Sequence, residues 1–166
     1  MELDNTTPVK RPTFLTVLCI LTFITTGFGL LSGIAGVFGG APSEEDKINS
    51  SIQMNQSIEQ LQKAKLDGLV HFMKQLEAMT ESIYANFFAY NLVNVLILAI
   101  GLASALFMFN GKRNGFYGYL GYSLLGVILP YFFISASNIP AILPIFQTII
   151  SLIFIFMYSR NLHWMK

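Results

Sequence analysis

His71 and His163 are the two histidines of the chain, and Cys19 is its single cysteine. These side chains most often ligate metals or act as bases and nucleophiles. His71 has Asp67 and Glu77 near it in sequence, and His163 stands in the C-terminal tail. A metal or catalytic histidine site needs further ligands or an orienting partner, and no pair of histidines, and no histidine with a carboxylate, is expected at ligand spacing on one helix face. One cysteine rules out an intrachain disulfide, a four-cysteine zinc site and a CxxC redox pair. Cys19 lies inside an apolar run and reads as a small buried hydrophobe. No glycine-rich phosphate loop, nucleophile elbow or paired in-membrane carboxylates occur. The sequence therefore predicts no catalytic residue, no metal site and no cofactor, and an enzyme is not expected.

A second set of polar residues interrupts otherwise apolar stretches. Thr25 and Thr26, Asn91 and Asn94, and Gln147 fall at similar depth when counted inward from the ends of their runs. Such a layer can bind a substrate, an ion or a lipid headgroup. It can equally be interhelical hydrogen bonding, worth roughly 0.6 kcal/mol per contact in a membrane. A proton-coupled carrier normally buries an ionisable residue, and these runs contain none. Gly29 with Gly33, and Gly36 with Gly40, form two GxxxG pairs. Small residues at that spacing let helix backbones approach closely.

The elements that must position these residues follow from hydropathy. Hydrophobic residues make up 54% of the 166 and charged residues 11%, against roughly 25% charged in a soluble domain. The uncharged runs are Phe14 to Phe38, Tyr84 to Asn110, Phe116 to Ser135 and Ile139 to Tyr158. At about 1.5 Å rise per residue each can cross a hydrocarbon core of about 30 Å. The first run is too long for the core of a signal peptide, about 7–15 residues. Four membrane helices are predicted, over residues 12–40, 84–110, 116–135 and 139–158, flanked by tails 1–11 and 159–166. The last two helices are joined tightly through Ala136, Ser137 and Asn138, with Asn138 as N-cap and Pro140 in the first turn. Pro130 and Pro144 can kink their helices.

Basic residues set the orientation. Lys10 and Arg11, Lys112 and Arg113, and Arg160 and Lys166 all fall on one side of a four-span chain. Positive residues mark the cytoplasm, so both termini are expected there, in an inner membrane. The segment 43–83 is then extracytoplasmic. Ser43 followed by Glu44, Glu45 and Asp46 has the form of a capping box, with acids in the positive first turn. Leu66, Leu69, Met73, Leu76 and Ile83 recur at helical spacing. The segment cannot be one straight helix and still return to the membrane, so a reversal is expected at Asp67-Gly68. This predicts helices over 44–66 and 69–83, the second running on into the next span. They either stand up as a hairpin or lie on the headgroups. A net acidic segment favours the hairpin, since interfacial helices usually carry a basic polar face. Two N-x-S sequons, at Asn49 and Asn55, matter only in a eukaryotic secretory pathway.

Residues 11–24, RPTFLTVLCILTFI, and 111–119, GKRNGFYGY, resemble small four-span inner-membrane proteins of bacteria, of the Bacteroidetes type. The resemblance implies four spans and no activity. The expected fold is all-α: an integral membrane four-helix bundle with an extracytoplasmic amphipathic helical hairpin between the first two spans. The expected function is protein–protein interaction, as an accessory or scaffold subunit or a self-assembling unit, with membrane lipids and a second membrane protein or copy as partners and no nucleic acid. Leu66, Leu69, Met73 and Leu76 would carry recognition, and Gly29, Gly33, Gly36 and Gly40 lateral packing. The alternative is a channel or transporter subunit lined by Asn91, Asn94 and Gln147.

Overall fold

Pro12 supplies the residue before the first helix, where its fixed φ and missing N–H cost nothing. From there α1 runs over Thr13–Gly39 and ends at Gly40, whose φ of +82° is readily available only to glycine. The computed structural model describes residues 11–166, and residues 1–10, including Lys10, lie outside the described part. Ser43 caps α2, Glu44–Lys63: its hydroxyl accepts from the Asp46 N–H at 3.1 Å, and its own N–H donates to the Asp46 carboxylate at 3.3 Å. Next come α3 at Asp67–Ala85, α4 at Phe87–Phe109, α5 at Asn114–Phe133, a 3₁₀ turn at Ala136–Asn138 and α6 at Ile142–Ser159. The fold is all-α, and α1, α4, α5 and α6 are each long and apolar enough to cross a membrane.

Several local expectations differ from the structure. The chain reverses at residues 64–66, where Lys65 takes φ +56°, and Gly68 lies inside α3. The Leu66 N–H still reaches the Leu61 carbonyl, so the backbone groups freed at the reversal find partners without a glycine. Asn138 belongs to the 3₁₀ turn and caps nothing, and Pro140 precedes the last helix instead of standing in its first turn, because α6 begins later, after Ala141. Pro144 therefore falls in the first turn of α6, where its missing N–H has no intrahelical partner to lose, and it produces no mid-helix kink. Asn86 alone separates α3 from α4.

Helix α4 is central: it packs along α1 on one side and α5 on the other. The α1–α4 seam is antiparallel. Gly29 faces Leu98, Gly33 faces Val95 and Gly36 faces Asn91. The α4–α5 seam is tighter. A Cβ on Gly115 would stand 2.5 Å from the Ser104 carbonyl oxygen and 2.6 Å from the Met108 nitrogen, and one on Gly118 would collide with Ser104 Oγ. Helix α6 is peripheral, and Tyr158 is its one buried residue.

The core gathers at the end of the bundle where α1 starts and α6 ends. Leu15, Leu18 and Cys19 of α1 meet Met108, Phe116, Tyr119, Tyr158 and Met165 there. Arg11 closes this end: its guanidinium donates to the Phe109 carbonyl at 3.0 Å and lies 3.5 Å from the centre of the Phe109 ring. The C-terminal residues also fold against it. Lys166 N–H donates to Gly111 O at 2.8 Å, Arg113 N–H donates to Lys166 O at 2.9 Å, and the Trp164 ring covers Gly111.

Candidate functional site

The polar residues read as one layer divide between two places. Asn91 turns toward α1, with its side chain against Gly36, while its amide donates to the Phe87 carbonyl of its own helix at 2.9 Å. Asn94 turns toward α5 and α6. There it lines a cavity of about 390 Å³ between α4, α5 and α6, together with Tyr122, Gly126, Tyr131, Phe146 and Gln147. Two residues three apart on a helix differ by about 60° in direction, which on a central helix is enough to send them to different neighbours. Thr25 is exposed and bonds the Leu21 and Thr22 carbonyls, and Thr26 is buried and bonds the Thr22 carbonyl at 2.6 Å. Neither threonine reaches the cavity.

A polar cluster that the sequence reading missed lies deeper toward the termini. Thr22 Oγ1 and the Tyr158 hydroxyl are 2.8 Å apart and buried, joining α1 to α6. The Tyr119 ring stands 4.8 Å from that of Tyr158, centroid to centroid. Ser123, one turn from Tyr119 on α5, is also buried. The tyrosines look in sequence like membrane-interface anchors because Tyr117, Tyr119 and Tyr122 crowd the start of α5. Only their angular positions separate them: Tyr117 is exposed, and Tyr119 points inward.

Of the four α1 glycines, Gly29, Gly33 and Gly36 line the seam with α4, whereas Gly40 follows the helix and has nothing within 4 Å. Close glycine contacts also occur between α4 and α5, at Gly101, Gly115 and Gly118, which the sequence reading did not single out. Contrary to the expectation that no histidine shares a helix face with a carboxylate, Asp67 and His71 stand one turn apart on α3, because the helix begins at Asp67. Among the described residues, no three His, Cys, Asp or Glu side chains gather where they could hold a metal ion.

Outside the four long helices, α2 and α3 pack together. Asn55 donates to the Glu77 carboxylate at 3.3 Å, and Ile58 and Val70 are buried. Between the two helices runs a groove lined by Ile48, Met54, Thr80 and Tyr84 together with Lys47, Glu77 and Glu81. Leu66 and Leu69 sit at the reversal, 45% and 49% exposed, and Met73 and Leu76 are half-buried. Helix α3 also leans on the bundle. Gln75 donates to the Ser137 carbonyl at 2.9 Å, and Met79 forms part of the wall of the Asn94–Gln147 cavity.

A family model described as a domain of unknown function, DUF8777, matches residues 9–147. The chain belongs to this family. Within DUF8777 the matched span takes in the first three long helices, the α2–α3 pair and the start of α6 as far as Gln147. No curated protein and no solved structure matches the chain.

Proposed function

We propose that this DUF8777 protein is a non-enzymatic, multi-pass subunit of the bacterial inner membrane that works by binding another protein or another copy of itself. In this reading α1, α4, α5 and α6 span the bilayer with both termini in the cytoplasm. The basic residues at the terminus-bearing end support that orientation, by the positive-inside rule. The α2–α3 pair then stands outside the cell membrane as a helical hairpin.

The observation that carries the reading is the exposure of Leu66 and Leu69 at the tip of that pair. Exposed apolar residues on the four long helices, such as Phe38 at 85% and Phe132 at 77%, have lipid to cover them. Leu66 and Leu69 are flanked by Lys63, Lys65 and Asp67 and belong to the α2–α3 pair, outside the four long apolar helices. Adjacent exposed leucines in such a place mark an interaction surface, and helix-on-helix docking is the mode that fits. Purification in mild detergent with mass determination tests this. A stoichiometric partner or a defined homo-oligomer is expected, and a lone chain of 18.5 kDa contradicts it.

A second reading, a channel or transporter subunit, is favoured by Asn94 and Gln147 lining one cavity. The core cluster around Leu15, Met108, Phe116 and Tyr158 fills the bundle beyond that cavity toward the termini. A path would have to open there, which makes this the lesser reading.

A further inference from the structure

The cavity between α4, α5 and α6 has no ionisable acid or base in its wall. Asn94, Gln147, Tyr122 and Tyr131 supply its polar groups, and the rest is apolar. At about 390 Å³ it falls within the size range of small-molecule sites, roughly 300–1,000 Å³. Among the described residues, neither Asn94 nor Gln147 makes a hydrogen bond through its side chain. Gln147 is exposed and Asn94 half-buried, so it is in the membrane placement proposed above that these amides lack water. An amide left unpaired against lipid costs several kcal/mol. These two have neither a helix carbonyl nor each other as partner, unlike Asn91, which bonds its own helix. Pro130 adds an acceptor. It has no N–H to give to the carbonyl four residues earlier, which is that of Gly126, also in the cavity wall.

Access is from the side. Phe146 and Gln147 lie on the exposed stretch of α6, and α6 is tied to α1 at its far end through Tyr158 and Thr22. The end of the cavity toward α2 and α3 is covered by Met79, and α3 is fastened nearby through Gln75 and Ser137. A guest would therefore enter through the gap facing lipid.

We propose that this cavity binds a neutral, membrane-dissolved molecule with carbonyl or hydroxyl oxygens on a compact head and an apolar tail. Asn94 and Gln147 donate to those oxygens, the Gly126 carbonyl accepts from a hydroxyl, and the tail leaves between α5 and α6. A charged head is disfavoured because nothing in the wall would neutralise it. Isoprenoid quinones and diacylglycerols share this chemistry. The inference rests on the membrane placement proposed above and is independent of any protein partner.

The test uses the full chain in phosphatidylcholine nanodiscs, with native mass spectrometry to count bound decylubiquinone, dioctanoylglycerol or dioctanoyl phosphatidylglycerol. One neutral probe per chain is expected, and whichever is retained names the source. The anionic probe should not compete. Asn94→Leu with Gln147→Leu should weaken retention about tenfold, the loss of two hydrogen bonds. Gly126→Phe, which fills the cavity and keeps both amides, should abolish it. Melting temperatures of the variants report whether they fold. Failure to retain either neutral probe, equal retention by a folded Gly126→Phe variant, or equal displacement by the anionic probe would each overturn the proposal. Failure of the chain to enter nanodiscs would overturn it together with the membrane placement.

Discussion

Thr22 Oγ1 and the Tyr158 hydroxyl meet at 2.8 Å inside the bundle, and this contact fastens the peripheral helix α6 to α1. Tyr158 is fully buried and touches Tyr119 and Phe154 as well. Its ring fills space, and its hydroxyl sets register. The two contributions separate by substitution. Tyr158→Phe keeps the ring and frees a Thr22 hydroxyl that can turn to its own helix, so the expected loss is small, about 0.6 kcal/mol. Tyr158→Ala removes the ring and should cost about 3 kcal/mol or more. Unfolding by titration with a denaturing detergent measures both, and equal losses would contradict this division.

Glycine positions give a prediction of opposite signs. Gly115→Ala drives a methyl against the Ser104 carbonyl and the Met108 nitrogen. Backbone atoms cannot rotate away, so α4 and α5 must part, at a cost of about 1–3 kcal/mol. Gly27→Ala meets nothing within 4 Å and gains helix propensity worth up to about 1 kcal/mol. Melting temperature in detergent should fall for the first variant and hold or rise for the second.

The glycines also show what could be read from sequence. Gly29, Gly33 and Gly36 repeat at helical spacing, which places them on one packed face of α1, but spacing does not name α4 as the helix that meets it. Gly40 continues the same pattern but follows the last turn, and a pattern does not reveal where a helix stops. Gly68 drew the reversal to itself because glycine is the usual residue at a positive φ, yet Lys65 takes that conformation. Asn91 and Asn94 could be placed on the inner side of α4. Their separation to different neighbours depends on α4 being the central helix, which is a tertiary fact. The C-terminal residues 159–166 were legible only as a polar tail. Their pairing with Gly111 and Arg113 joins segments far apart in the chain, and such pairing leaves no local periodicity.

The proposed orientation is tested by labelling. In a Cys19-free background, cysteines at Lys47 and Lys74 should react with a membrane-impermeant maleimide on spheroplasts, and one at Arg113 should react only after lysis. The native Cys19 is fully buried and should react only when the protein is denatured, since a thiol without solvent access is inert. Labelling of position 113 from outside intact spheroplasts would reverse the topology.

The most direct test of the proposed function is the size of the purified complex when Leu66 and Leu69 are both replaced by Asp. Both are exposed at the reversal between α2 and α3, so the change leaves the core untouched, and the melting temperature of the chain should stay within about a degree or two. Light scattering in mild detergent should show a wild-type complex larger than one chain, and a double variant reduced toward the 18.5 kDa single chain once bound detergent is subtracted. An unchanged mass for a correctly folded double variant would contradict recognition through the α2–α3 tip.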